Sequence, residues 1–462
     1  MSASRPDPPA AERHARRALL WDLALAVLGV GLFTLAVVEG RSLREGEDQV
    51  RLRWPPLYGY WLPHTGPGTP LALACAGLAL VYGPRLARSL PWRGLLYGGW
   101  AASLAWSGSL ALVDGWERGV TRRLTTRYEY LNAVDEVHSL GGFLSGFVDR
   151  IPKGAPDSWP AHVSGHPPGA LLTFVGLDRI GLSGGGWAAG WCLLLGSSAV
   201  VAVLVTLRAL AGERLARTAA PFVVLAPWVV WMGVSADGYF AAVAAWGLAL
   251  LALALRGGVR HPRLTALGAG LVWGWMCYLS YGLALFALLA LAVLLATRRL
   301  WPVPWVLLGL ACWVVAFTLG GFWWGEGYRA LVERYYDGAA GVRSYGYFVW
   351  ANLAVQLAVV GLATLAGLRR GLARLPAAVR EWGRGPLRGT SALVVLVTAA
   401  VLTVLVADLS GMSKAETERI WLPFSLWLLP ACALLPDRAA RWWLALQAVT
   451  ALTVNHLLVT GW

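Results

Sequence analysis

Long apolar runs alternate with short polar segments along almost the whole chain. A helix needs about 20 apolar residues to cross the roughly 30 Å hydrocarbon core of a bilayer. With short, tilted helices allowed, this criterion predicts about 13 transmembrane helices. The predicted spans lie near residues 18–39, 69–84, 95–113, 187–207, 219–235, 239–255, 264–279, 282–297, 302–320, 348–367, 390–408, 420–436 and 442–460. The apolar segment 167–182 is shorter, and we expect it to be re-entrant or a short span.

The composition agrees with this pattern. Of the 462 residues, 57% are hydrophobic and only 14% are charged, whereas about a quarter of the residues of a soluble domain are charged. We therefore predict an all-α polytopic integral membrane protein, with a cytoplasmic tail at 1–17 and a single membrane domain at 18–462. The five cysteines lie inside apolar runs without metal-like spacing, which predicts neither a disulfide framework nor a zinc site.

The net charge of +14 reflects arginines that cluster between the apolar runs. This pattern is typical of membrane topology, so we expect no nucleic-acid partner. The basic segments predicted to be cytoplasmic are 85–93, 208–217, 256–263, 298–299 and 369–388. Alternation then places segments 40–68, 114–166, 235–238, 321–347 and 409–419 on the extracytoplasmic side, provided that 167–182 does not fully cross. Lysine occurs only at Lys153 and Lys414, and this scarcity favours a bacterial source and hence a bacterial plasma membrane.

The segment 114–166 holds the densest set of groups that could carry chemistry. Asp135 and Glu136 are adjacent carboxylates, His138 follows them, and His166 directly precedes a Pro-Pro helix start. Adjacent side chains point in different directions from a helix, so one carboxylate can face a substrate while the other binds a metal ion or orients a neighbour. The alternative is that the two carboxylates are solvated loop acids and that His166 only caps a helix.

Other candidates lie later in the chain. Asp237 falls between two apolar spans, where an ionisable residue is costly enough to indicate a site. Lys414 and Arg419 are the main cationic candidates, and Arg343 and Arg329 come next. Arg419 directly precedes an apolar run, at the depth where a lipid phosphate lies. The alternative for these cations is a surface ion-pair cluster, which contributes little.

The run Asp135-Glu136-Val137-His138 and the later His166-Pro167-Pro168-Gly169, which opens an apolar helix, carry a resemblance to a known family. They resemble the first lumenal loop of protein O-mannosyltransferases (family 39) and of the wider C-type (GT-C) glycosyltransferase superfamily. The resemblance covers residues 128–172. One feature departs from it, since the family usually places this loop after its first transmembrane helix, whereas three predicted spans precede it here.

The resemblance implies transfer of mannose or a related sugar from a polyprenyl-phosphate donor to a hydroxyl of a glycan, lipid or protein acceptor. The reaction would occur at the extracytoplasmic face with inversion at the anomeric carbon. It implies Asp135 as the general base, a divalent cation (Mg²⁺ or Mn²⁺) held by Glu136 and His166, and no organic cofactor. The residues expected to bind the substrate or the donor phosphate are His138, His166, Asp237, Arg343, Lys414 and Arg419.

Two alternatives remain open. A multi-pass transporter or flippase of lipid-linked or small solutes would show inverted repeats and charges in mid-span. No repeat is evident, and most charges lie between the apolar runs. A catalytically silent relative that binds lipid or partners would share the same sequence features.

Overall fold

A computed structural model describes residues 10–46 and 48–460, and within these ranges the chain is almost entirely helical. The longer α-helices are Ala10–Glu45, Thr69–Ser89, Trp92–Ala111, Gly185–Ala211, Ala236–Arg256, Pro262–Leu279, Val303–Leu319, Tyr345–Val360, Gly389–Leu409 and Ala440–Leu457. The shorter α-helices are Leu140–Gly146, Ala161–Ser164, Pro168–Arg179, Glu213–Leu225, Val229–Met232, Ala287–Thr297, Trp324–Tyr336, Ala339–Val342, Leu362–Leu372, Leu375–Arg384, Thr417–Ile420 and Leu422–Ser425.

The remaining elements are short turns of helix and one small sheet. The 3-10 helices are Leu112–Asp114, Arg123–Thr125, Tyr130–Ala133, Val148–Arg150, Tyr281–Phe286 and Leu429–Leu434, and Glu117–Thr121 is a π-helix. The strands Gly59–Trp61 and Leu458–Thr460 pair antiparallel, with Tyr60 opposite Val459. This pairing fixes the first long loop against the end of the last helix.

Five helices in the described ranges are long and apolar enough to cross a membrane, or up to seven if each of two bent pairs is one span. The all-helical prediction is confirmed at this level, and the larger number of about 13 crossings stays a prediction. Several predicted spans are broken. The span near 348–367 bends by 109° at Gly361, whose φ of +77° suits a residue without a Cβ.

The helix Pro168–Arg179 is too short to cross a bilayer, since its 12 residues span about 18 Å. Both ends of the helix contact the 114–166 segment. His166, just before it, lies against Tyr130, and Arg179 donates a 2.8 Å hydrogen bond to the carbonyl of Val137. The chain therefore leaves this helix at the end of the molecule where it entered.

The predicted cytoplasmic segments meet at one end of the helices. Arg217 donates to the carbonyl of Leu90 at 2.9 Å, and Arg299 donates to the carbonyl of Leu255 at 2.7 Å. The helix Ala236–Arg256 connects this end to the opposite one over about 30 Å. We call the arginine-rich end the basic end.

A buried ion pair attaches the first helix to the basic end. Asp22 is fully buried in the helix Ala10–Glu45. Its carboxylate receives 2.7 Å and 2.6 Å hydrogen bonds from Arg369 and Arg370, in the arginine-rich segment 369–388. A carboxylate removed from water needs such partners, so this contact fixes both the depth and the rotation of the first helix.

We expect Asp22→Asn to lower the free energy of unfolding by about 2 kcal/mol, because it removes the charge that compensates two partly buried arginines. The measurement is thermal unfolding in detergent, followed by circular dichroism. Asp48→Asn is the matched control, since the Asp48 side chain is 47% exposed in its pair with Arg51. Equal melting temperatures for the two variants would contradict the prediction.

Candidate functional site

Four charged or polar side chains form a continuous buried chain at the end opposite the basic end. Glu129 Oε1 lies 2.8 Å from His162 Nδ1, and His162 Nε2 lies 3.5 Å from Arg419 Nη2. Arg419 Nη1 donates a 2.5 Å hydrogen bond to Asp237 Oδ2. Each of these residues is at most 8% exposed. We call these four residues the buried polar chain.

Short elements from three parts of the sequence position these side chains. Glu129 directly precedes the 3-10 helix Tyr130–Ala133. The short helix that carries His162 is fixed by a 2.9 Å bond from the His162 N–H to the carbonyl of Tyr128. Asp237 lies in the first turn of its helix, where the Ser235 side chain caps the Asp237 N–H at 3.1 Å. A carboxylate at this position is stabilised by the helix dipole.

The hydrogen-bond partners of His162 and His166 determine which ring nitrogen carries the proton. An arginine N–H cannot accept, so His162 Nε2 is the acceptor toward Arg419 and the proton of a neutral ring is on Nδ1. His166 Nδ1 lies 2.7 Å from the carbonyl of His162 and 3.0 Å from the Tyr130 hydroxyl. Because a carbonyl can only accept, His166 Nδ1 also carries its proton.

The pKa values near the buried polar chain follow from burial and charge. Burial lowers the pKa of His166 to about 4, so its ring is neutral at pH 7. Burial also raises the pKa of the Tyr130 hydroxyl well above its usual value. For Arg419 burial opposes the charge, but the carboxylates of Asp237 and Glu129 outweigh it and raise the pKa of the guanidinium.

One oxygen of the buried polar chain is left without a hydrogen bond. Glu129 Oε2 is enclosed, and no group within the described ranges donates to it. An unsatisfied buried acceptor costs about 1–3 kcal/mol unless something else satisfies it. This oxygen is therefore a buried acceptor whose hydrogen bond the described residues leave unmade.

A second polar cluster lies beside the first, in the segment 409–419. Arg343 Nη2 contacts Glu416 at 3.2 Å, and Nη1 donates to the carbonyl of Lys414 at 2.7 Å. The Lys414 ammonium donates to the carbonyl of Ala340 at 3.0 Å and lies 5.5 Å from the centre of the Tyr336 ring. Among the described residues it has no carboxylate partner, so its charge is the less compensated of the two cations.

Neither a protein-family model nor any curated protein matches this chain. The assignment of a role to the site therefore depends on its geometry and on the residues themselves.

The structure brings together some of the residues predicted from the sequence and separates others. Asp237, Arg419 and His166 belong to or contact the buried polar chain. Arg343 and Lys414 form the neighbouring cluster. By contrast, Asp135, Glu136 and His138 are exposed, and Glu136 pairs with Arg150 at the surface.

The two side chains predicted to hold a divalent cation point to different surroundings. Glu136 is engaged by Arg150, and His166 is enclosed against Tyr130. Over residues 10–46 and 48–460, no group of three or more His, Cys, Asp and Glu side chains is arranged to hold a metal ion. Glu136 and His166 therefore do not form a common site for the cation. The divalent cation stays a prediction, and the proposed reaction step does not depend on it.

Sequence reasoning missed Glu129 as the buried carboxylate of the site. It stands between two tyrosines, of which Tyr128 is 41% exposed and Tyr130 is fully buried. The only signal in the sequence was an acid flanked by aromatic residues six positions before Asp135. Glu418 was likewise missed as a site residue, although it neighbours Arg419.

Glu418 ties the 409–419 segment to the first long loop. Its Oε1 accepts a 2.8 Å hydrogen bond from the N–H of Tyr58, and its Oε2 is enclosed without a partner in the described part of the chain. Burial is the main reason that the pKa of Glu418 rises from 4.5 to about 7.

A carboxyl whose pKa is raised by folding stabilises the fold in its protonated form. The contribution is complete below pH 4.5 and is lost as the pH rises through about 7. Glutamine cannot ionise, so Glu418→Gln avoids this loss. We therefore expect its free energy of unfolding, relative to that of the unchanged protein, to increase by about 2 kcal/mol between pH 5.5 and pH 8. Thermal unfolding at the two pH values measures this gain. The exposed Glu333→Gln is the control, and a Glu418→Gln effect independent of pH would refute the prediction.

Proposed function

We propose that this protein is an all-helical membrane glycosyltransferase of a bacterial plasma membrane. It transfers mannose or a related sugar from a polyprenyl-phosphate donor to an acceptor hydroxyl at the extracytoplasmic face. The observation that carries the proposal is the buried polar chain, which combines a carboxylate oxygen free to accept a proton with an arginine suited to a phosphate. This pairing matches the two needs of glycosyl transfer from a lipid phosphate.

In the proposed step, the acceptor hydroxyl donates its proton to Glu129 as its oxygen bonds to the anomeric carbon. The bond from that carbon to the phosphate oxygen breaks, and the lipid phosphate leaves with the electron pair. Attack from the face opposite the phosphate gives inversion. His162 lies against the other oxygen of Glu129, so it holds the carboxylate in position for this proton transfer.

The departing phosphate needs positive charge at the membrane boundary. Arg419 supplies a guanidinium directly before the apolar segment 420–436, and Lys414 supplies an ammonium without a carboxylate partner in the described ranges. A guanidinium can bind phosphate oxygens through two N–H groups at once. Asp237 compensates the charge of Arg419 when no phosphate is present.

An apolar groove along the helix that carries Asp237 supports a lipid-linked donor. It has a volume of about 490 Å³ and is lined by Val243, Trp246, Trp275 and Trp313, among others. Trp275 donates a 2.8 Å hydrogen bond to the Tyr239 hydroxyl, and Tyr239 lies two residues after Asp237. We propose that the apolar polyprenyl chain lies in this groove.

The arrangement of the helices also supports the proposed sidedness. The basic end carries the segments expected in the cytoplasm, and the buried polar chain lies at the other end. The full proposal of about 13 crossings counts each broken apolar run, with its consecutive short helices, as one span. In that topology the 114–166, 321–347 and 409–419 segments face the outside together.

Two carboxylates compete for the role of general base. The family resemblance implies Asp135, whereas burial and the unsatisfied oxygen favour Glu129. We expect Glu129→Gln to lower the transfer rate by about 10² to 10⁴ and Asp135→Asn to leave it within about threefold. The assay follows transfer from a radiolabelled polyprenyl-phosphate sugar to a panel of acceptors, with purified protein in vesicles.

The transfer assay distinguishes the two carboxylates from each other and the glycosyltransferase from a transporter. If Asp135→Asn loses transfer and Glu129→Gln does not, Asp135 is the general base. Unchanged transfer in both variants would reject a carboxylate base at either position. If no donor is consumed while solutes cross proteoliposomes that contain the protein, the chain is a transporter and the proposal is wrong.

A further inference from the structure

A pocket opens at the basic end, far from the buried polar chain. It has a volume of about 930 Å³ and lies where the loop before Pro262–Leu279 meets the start of Val303–Leu319. Its walls are basic and aromatic. They are formed by Arg260, His261, Pro262, Arg263, Leu264, Trp301 and Trp305. We call it the basic pocket.

Positive charge in this region has no acidic counterpart in the sequence. Residues 238–325 contain five arginines and no Asp or Glu. In the described structure, neither Arg260 nor Arg263 has a carboxylate or hydrogen-bond partner, and the Arg263 guanidinium lies 6.0 Å from the centre of the Trp305 ring. The basic pocket therefore presents two charges that the protein itself does not compensate.

The neighbouring arginines are already engaged, which distinguishes Arg260 and Arg263 from them. Arg256 donates to the carbonyl of Leu387. Arg298 donates to the carbonyl of Trp382, and its guanidinium lies 4.9 Å from the centre of that ring.

Three carboxylates at the basic end are engaged as well. Asp22 is paired with Arg369 and Arg370, and Glu213 is paired with Arg217 at 2.6 Å. Glu381 accepts from the Ser391 hydroxyl. A counter-ion for the basic pocket must therefore come from outside these pairs.

The pocket continues into an apolar surface. Leu264 is 61% exposed and Trp301 is 37% exposed at the pocket itself. Along the two helices that lead away from it, Leu271, Leu307 and Leu308 are also exposed. A ligand that fits both parts has an anionic head and an apolar tail, which favours a membrane lipid over a soluble phosphate.

We propose that the basic pocket binds the headgroup of an anionic phospholipid of the phosphatidylglycerol type. The phosphate would lie between Arg260 and Arg263, with Trp301 and Trp305 at the level of the headgroups, where tryptophan is favoured. The acyl chains would run along the exposed leucines toward the middle of the bilayer. This site does not depend on the proposed sugar transfer, since none of its residues belongs to the buried polar chain.

The experiment measures binding of a fluorescent phosphatidylglycerol to the full chain in detergent. Unlabelled phosphatidylglycerol, phosphatidylcholine and inorganic phosphate serve as competitors. We expect phosphatidylglycerol to compete at least tenfold better than phosphatidylcholine, and inorganic phosphate not to compete. The double variant Arg260→Gln with Arg263→Gln should bind on the order of tenfold more weakly, because each arginine near an anionic lipid contributes to its retention.

Arg214→Gln is the matched control, since Arg214 is an exposed arginine at the same end but outside the pocket. It should bind the lipid within twofold of the unchanged protein, and melting temperatures should show that all variants are folded. Each single variant, Arg260→Gln and Arg263→Gln, is measured alongside in case the double variant does not fold. Equal weakening by Arg214→Gln, unchanged binding in the pocket variants, or displacement by inorganic phosphate would each overturn the proposal.

Discussion

An arginine and an aspartate that are both withdrawn from water stabilise a fold only if they stay together, because either charge alone would be costly to bury. Arg419 and Asp237 are 4% and 3% exposed, and they are 182 positions apart in the chain. Their contact holds the segment 409–419 against the start of the helix Ala236–Arg256. Through His162 the same contact reaches the 114–166 segment, so this ion pair joins three distant parts of the sequence.

Much of the helical architecture follows from hydropathy alone. Most of the predicted spans overlap long helices, and the basic segments meet at one end as their charge pattern indicates. Hydropathy does not report where a helix breaks, since a broken apolar segment has the same composition as a continuous one. The bend at Gly361 depends on a positive φ and on Gln447, which donates to the carbonyl of Val360 at 2.8 Å. Such a contact cannot be inferred from the local sequence.

The candidate site was predicted less completely, for a related reason. Asp237 and Arg419 could be singled out because an ionisable residue beside an apolar run is unusual. Glu129 could not, since its burial depends on the packing of His162 and Tyr130 from elsewhere in the segment 114–166. A motif shows which residue types stand in order, whereas enclosure from water is decided by tertiary contacts. The exposed Asp135 and the buried Glu129 illustrate this difference within a single loop.

Each end of the molecule contains both charge that the described residues compensate and charge that they do not. At the end that carries the buried polar chain, Asp237 and Glu129 surround the guanidinium of Arg419 and raise its pKa. An anionic substrate would have to compete with these carboxylates. Among the described residues, the ammonium of the partly exposed Lys414 contacts a carbonyl and an aromatic ring but no carboxylate, so it offers a positive charge without such competition. At the basic end, Arg260 and Arg263 have no internal carboxylate in the described structure. Charge that the chain compensates itself fixes its fold, and charge that it leaves uncompensated marks the surfaces where anionic lipids are favoured.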